Sequence, residues 1–154
     1  ATGFVKRAFR AIPADWSGVK WECKKVDKKA EDLEKIAQGA AEESKRNRIP
    51  AVRLFEKKAD FRAQLTGFDQ IILAYEEAAK EGEQANLVKA LSGLETGQSV
   101  LVIVGPEGGV SPEEVAAFEG AGAVKTGLGP RILRAETAPL YALSAISYAT
   151  ELLR

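Results

Sequence analysis

Ser99-Val100-Leu101-Val102-Ile103-Val104 runs straight into Gly105-Pro106-Glu107-Gly108-Gly109. After Ser99 the stretch is β-branched and apolar on both faces, which asks for a buried strand. Three glycines and a proline in the next five ask for a fixed bend with bare main-chain groups. Downstream, Ser111-Pro112-Glu113-Glu114 carries an N-cap, a proline at the first helical position and a capping-box glutamate, so a helix is expected over 112–120. A strand over 123–128 and a helix over 137–153 follow. Upstream, Gln70–Tyr75 is a second continuous apolar run, of the kind found in parallel sheets. Helices are expected over 28–47, 59–65 and 85–91, and a short strand over 51–55; the first repeats Leu33, Ile36, Ala37, Ala40 and Ala41 at helical period, with Pro50 as its stop. Strands alternating with helices give an α/β fold, a mostly parallel sheet flanked by helices. Residues 1–27 carry no clear period.

The 154 residues suit one domain with a core of its own, 45% apolar and 29% charged. No apolar run approaches the roughly 20 residues that cross a bilayer, and no signal-peptide pattern opens the chain. The single cysteine, Cys23, leaves no internal disulfide and points to the cytoplasm. Histidine is absent altogether, which excludes Ser-His-Asp and Cys-His catalysis and two-His zinc sites within this chain. Carboxylate-bound Mg²⁺ or Ca²⁺ stays open, although the sequence has neither EF-hand spacing nor clustered Asp. Methionine is absent and Ala1 comes first, so the sequence reads as a piece of a longer protein.

Equal numbers of acidic and basic residues, 22 each, conceal a split. Residues 1–75 hold 16 basic against 11 acidic side chains, and residues 76–154 hold 6 against 11. The basic ones cluster at Lys6, Arg7 and Arg10, from Lys20 to Lys29, and at Lys45, Arg46 and Arg48. Phe4, Phe9, Trp16 and Trp21 lie among the first two clusters. Such a half suits an anionic partner such as RNA; the plainer alternative is a solvated helix face with aromatics in the core.

In open α/β sheets ligands bind beyond the carboxyl ends of strands, where two unusual loops fall. In the first, Gly105–Gly109, Ser111, Glu113 and Glu114 already occupy the helix end that a phosphate would need, and Glu107 adds negative charge. A neutral or cationic ligand held by backbone groups therefore fits better than a nucleotide triphosphate, with a purely structural turn as the alternative. The second is Gly127-Leu128-Gly129-Pro130-Arg131-Ile132-Leu133-Arg134-Ala135-Glu136-Thr137. Ile132 and Leu133 can wall an apolar slot, Arg131 and Arg134 offer guanidinium forks, and Glu136 can pair with either. In the last helix Ala138, Ala142, Ala145 and Ala149 form a small-residue stripe, which reads as a face for a second subunit or for the domain's own sheet. Tyr141, Ser144 and Tyr148 lie beside it.

Gly-Pro-Glu-Gly-Gly after a buried strand, then Leu-Gly-Pro-Arg-Ile-Leu-Arg-Ala-Glu-Thr-Ala, resembles the RsmE family of small-subunit ribosomal RNA uridine N3-methyltransferases, of the SPOUT superfamily. Ala40–Pro50 and Ala74-Tyr75-Glu76 resemble family segments too. The resemblance runs from about Lys20 to Arg154. It implies a single SPOUT methyltransferase domain with a C-terminal deep trefoil knot, a fold that ordinary connection rules disfavour. It also implies S-adenosylmethionine as cofactor, held by Ala74, Tyr75, Glu76, Gly105, Pro106, Glu107, Gly108, Gly109, Leu128, Gly129, Ile132, Leu133, Thr137 and Ala138. A homodimer through the C-terminal helix, ribosomal RNA as partner and a cytoplasmic setting complete the expectation. Arg134 is the candidate for stabilising charge on the uracil, with Glu136 holding it; Lys45, Arg46, Arg48 and Arg131 are candidates for contacting RNA. The sequence departs from the family in lacking the N-terminal RNA-binding barrel, in residues 1–12, and at Glu43, where glutamine is common. A non-catalytic dimerisation and RNA-docking fragment is the alternative.

Overall fold

In the computed structural model, residues 8–11, 23–55, 57–81 and 85–153 are described. They fall into two compact units, one ending at Phe61 and the other formed chiefly by residues from Arg62 onward. In the first, β1 (Ala8–Ala11) pairs in parallel with β2 (Ala51–Leu54), Ala8 opposite Ala51 and Ala11 opposite Leu54. Nothing in Ala-Phe-Arg-Ala marks a strand by itself; its pairing defines it. Helix α1 (Cys23–Glu43) lies between them in sequence. It starts ahead of the predicted Lys28 and ends before the predicted Asn47, because Lys45 turns left-handed at φ 52° well short of Pro50. Its inner face is Val26, Ala30, Leu33, Ala37 and Ala41; Ile36 and Ala40, predicted to join it, are exposed. Asp27, Lys28, Lys29, Glu31, Asp32, Glu34 and Lys35 are exposed, so this part of the basic run is a mixed-charge solvated face. The side chains of Lys6, Arg7, Arg10, Lys20, Phe4, Phe9, Trp16 and Trp21 lie outside the described residues. Phe55 and Phe61 meet edge to face with centroids 5.5 Å apart.

Helix α2 (Lys58–Arg62) leads into the second unit through a tight 3₁₀ turn at Leu65–Gly67, whose Leu65 is fully buried. The sheet there has three parallel strands in the order β4-β3-β5: β3 (Gln70–Ala74), β4 (Val100–Val104) and β5 (Ala123–Thr126). The central strand buries Ile71, Ile72 and Leu73 in succession, as its unbroken apolar run requires. In β4 burial alternates: Leu101 and Ile103 on one face are buried, while Val100, Val102 and Val104 on the other are half-buried against the clusters that hold α4 and α6. Between β3 and β4 lie α3 (Glu76–Lys80) and α4 (Asn86–Ser92); between β4 and β5 lies α5 (Pro112–Gly120). Helix α3 was not expected. Its five residues are too few to show a period, and Lys80 steadies it by pairing with Glu76 and Glu77 at 2.9 and 2.7 Å. Strand β5 ends before the predicted Leu128, at Thr126, and helix α6 (Ala138–Ser147) passes into a π-helical turn at Tyr148–Leu152.

Helix α6 decides between the two readings of its alanines. Ala138 and Ala142 are buried with Leu128, and Ala145 and Ala149 pack on the Ile72, Ala90, Leu91 and Leu94 cluster. The stripe therefore faces its own unit, which corrects the idea that it meets a second subunit: small side chains let α6 lie close against the sheet and α4. Leu140, Tyr141, Tyr148, Leu152 and Leu153 are left exposed instead.

At the amino ends of β3 and β4 a clasp sets the register. The Ser99 amide and hydroxyl both donate to Asp69 Oδ2, at 2.7 and 2.8 Å, and the Asp69 amide donates back to Ser99 Oγ at 3.2 Å. The Ser99 amide, then its hydroxyl, hold the Asp69 carboxyl below its ordinary value of 3.8. A lowered carboxyl value stabilises the fold above that pH and ceases to do so as acid protonates it. Asp69→Ala is thus expected to lower the urea midpoint at pH 7, with the gap to wild type closing below pH 3.8; equal midpoints at pH 7 would count against the clasp.

Candidate functional site

The three strands are parallel and nearly level at their carboxyl ends: Ala74 stands opposite Val104 on one side and Thr126 on the other. The loops leaving them must therefore share one rim. Tyr75 continues the ladder, its amide donating to the Thr126 carbonyl at 3.0 Å. The rim encloses a cavity of about 790 Å³, within the range of small-molecule sites. Its wall comes from 74–79, from 104–110 and from 128–138.

The second segment is bent as its composition requires. The Gly109 amide closes a turn onto the Pro106 carbonyl at 2.9 Å, and Gly109 sits at φ +84°. A Cβ on Gly105 would come within 2.6 Å of Val110 Cγ2, so only glycine lets the strand exit there. Beyond the bend the capping box is complete. Ser111 Oγ accepts from the Glu114 amide at 3.2 Å, and Glu114 Oε2 accepts from the Ser111 amide at 3.1 Å. Both residues are buried, so the start of α5 is filled by its own side chains and has little to offer a phosphate.

The third segment leaves β5 with Leu128 buried against Ala138 and Ala142, and Leu133 packs on the same cluster. The Thr137 and Ala138 amides both donate to the Arg134 carbonyl, at 2.9 and 3.0 Å, turning the chain into α6. Arg134 Nη1 lies 3.4 Å from Glu136 Oε1 with the two side chains 85% and 65% exposed. So open a pair is worth little, and the guanidinium is available to another anion.

Most residues singled out in the sequence meet at this cavity. Ala74, Tyr75, Glu76, all of Gly105–Gly109, Leu128, Ile132, Leu133 and Ala138 line it, as do Arg134 and Glu136. Arg131, expected only to meet RNA, lines it too. Gly129 and Thr137 do not: Gly129 turns at φ +84° under Tyr141, and the Thr137 amide is spent on the turn into α6. Lys45, Arg46 and Arg48 belong to the first unit, where they are exposed. Glu77, Ala79, Val104 and Val110 line the cavity without having been foreseen, and Ala135 lines it within a loop expected there. The acidic start of α3, Glu76-Glu77 with Lys80 beyond, was the available signal for the first two.

A family model described as an RNA methyltransferase domain matches residues 6–147. The chain belongs to this RNA methyltransferase family. Its resemblance to RsmE holds as well: it is 48% identical over 147 residues to ribosomal RNA small subunit methyltransferase E of Bacillus subtilis, covering 96% of this chain and 57% of that one. Among solved structures, a Legionella pneumophila methyltransferase in complex with the bound cofactor SAM matches with a TM-score of 0.75 and 28% identity, over 93% of this chain and 55% of that one. Ribosomal RNA small subunit methyltransferase E from Neisseria gonorrhoeae, bound to S-adenosyl methionine, matches with a TM-score of 0.68 and 26% identity, over 92% and 54%. The chain thus spans little more than half the length of these relatives. Among the described residues no helix is long and apolar enough to cross a membrane.

If the Gly105 bend is as tight as its geometry states, Gly105→Ala must push Val110 out of a buried position. Overpacking of this kind costs about 1–3 kcal/mol. Urea unfolding is expected to read a loss in that range, and an unchanged midpoint would show that the loop has room.

Proposed function

We propose that this chain carries the cofactor-binding and catalytic part of an S-adenosylmethionine-dependent methyltransferase acting on N3 of a uridine in small-subunit ribosomal RNA. The observation that carries the proposal is the meeting of three strand-end loops around one cavity, two of them bearing the Gly-Pro-Glu-Gly-Gly and Leu-Gly-Pro-Arg-Ile-Leu-Arg motifs. The lining suits this cofactor. Leu128, Ile132, Leu133 and Val104 offer apolar surface for an adenine, the Gly105–Gly109 bend offers main-chain polar groups, and Glu76 and Glu107 offer negative charge to a cation. The filled amino end of α5 is no handicap, because the ligand has no phosphate. Gly129 and Thr137 support the third segment from outside the cavity. Bound there, the cofactor supplies an electrophilic methyl group on a sulfonium.

The protein's own share is positioning and charge. Uridine N3 is protonated at neutral pH, and losing that proton puts negative charge on the uracil. The Arg134 guanidinium, exposed at the rim, stabilises that charge, and Glu136 beside it is the candidate for orienting it once substrate shields the pair from water. Glu107, also at the rim, is the candidate for receiving the proton. Arg131 and, in the first unit, Lys45, Arg46 and Arg48 meet RNA phosphates. The family resemblance supports a trefoil knot in the chain beyond β4, one SPOUT domain over the whole sequence and action in the cytoplasm. The exposed Leu140, Tyr148, Leu152 and Leu153 support a homodimer through the last helix, on the face opposite to its alanines.

Titration calorimetry with S-adenosylmethionine tests the central claim. Saturable one-to-one binding is expected; its absence would leave only a non-catalytic docking module. Arg134→Ala is expected to lower methyl transfer to small ribosomal subunits by about 100-fold or more, as loss of a charge-stabilising donor does elsewhere, with cofactor affinity within about twofold of wild type. Undiminished transfer would remove Arg134 from the mechanism.

A further inference from the structure

The third segment is anchored at both ends, by Leu128 and by Leu133 with Ala138. Between the anchors Gly129 is half-buried, whereas Pro130, Arg131 and Ile132 are exposed. Gly129 takes the left-handed bend at φ +84°, and a Cβ built on it would lie 3.1 Å from Tyr141 Oη and 3.7 Å from Tyr141 Cζ. The phenol tip thus occupies the space that a side chain at 129 would need. Tyr141 stands in the first turn of α6, its amide bonded to the Thr137 carbonyl at 3.0 Å, with 39% of its surface exposed. Among the described residues its hydroxyl has no hydrogen-bond partner, so its hold on Gly129 is steric.

We infer that Tyr141 is a positioning residue for the cavity: its phenol tip braces the Gly129 bend and so fixes the stretch of wall between the Leu128 and Leu133 anchors. The cofactor consequence rests on the function proposed above; the brace itself does not. It also accounts for Gly129, which belongs to a cavity-forming loop yet does not line the cavity. Glycine is required at 129 twice over, by its dihedral angle and by the ring above it.

The test compares Tyr141→Ala with Tyr141→Phe. Alanine has the higher helix propensity, so α6 itself is not weakened by the first change. Two readouts are taken, the S-adenosylmethionine affinity by calorimetry and the hydrogen exchange of the Thr137 and Ala138 amides in the ligand-free chain by NMR. Sedimentation velocity at the same concentrations records the oligomeric state. Tyr141→Ala is expected to weaken affinity about fivefold, the scale of one lost aromatic contact, and to speed exchange at both amides. Tyr141→Phe, which keeps Cζ but loses the nearer hydroxyl, is expected to restore most of both. Wild-type behaviour of the alanine variant would overturn the inference, as would a phenylalanine variant as impaired as alanine, or an affinity loss that follows dissociation with exchange unchanged. A wild-type chain that binds no S-adenosylmethionine would defeat the proposed cofactor, while the exchange rates would still decide the brace.

Discussion

Parallel strands joined by helices all point the same way, and when their registers nearly coincide their exit loops must share one edge. In this chain Ala74, Val104 and Thr126 are level across the sheet. Three segments far apart in sequence therefore enclose one cavity without any long excursion of the chain. The Asp69–Ser99 clasp fixes that alignment from the other end of the strands, and a one-residue slip of β4 would move Gly105 off the rim and exchange the two faces of the strand. Everything proposed about ligand binding depends on that register.

Each rim segment is held by a different device. The first is continued from the ladder by the Tyr75 amide and stiffened by Lys80 between two glutamates. The second is a glycine-closed turn whose following helix caps itself. The third is pinned through Leu128 and Leu133 to the alanines of α6. Apolar walls, bare main-chain groups and rim carboxylates together favour a ligand with an aromatic part and a positive charge. The third segment is less enclosed than the other two: Arg131 and Arg134 stand exposed.

The last helix shows how one element serves two surfaces. Its alanines allow close packing on the sheet and α4, and this leaves Leu140, Tyr141, Tyr148 and Leu152 on the outside. Composition alone could not assign the faces, because a small-residue stripe permits close approach by any partner. The outcome depended on whether α4 and the sheet offered a surface to receive it. The same holds for Gly129: its presence in a motif suggested contact with a ligand, whereas its space is taken by a tyrosine twelve positions along the chain.

By itself the sequence determined what is local. Gln70–Ala74 and Val100–Val104 are strands because Ile71–Ala74 and Val100–Val104 are unbroken apolar runs rich in β-branched side chains, and Ser111–Glu114 begins a helix because its side chains satisfy its own amides. The glycine-proline bends and the absence of histidine are local facts of the same kind, and they narrow the chemistry by themselves. Tertiary structure alone decided what depends on neighbours remote in sequence: the pairing that makes Ala8–Ala11 a strand, the left-handed Lys45 that ends α1, the short helix α3 and the direction faced by the alanines of α6. Local preferences are properties of a few consecutive side chains. Register, cavity and face are properties of contacts across the fold, where packing free energy outweighs the preference of any single segment.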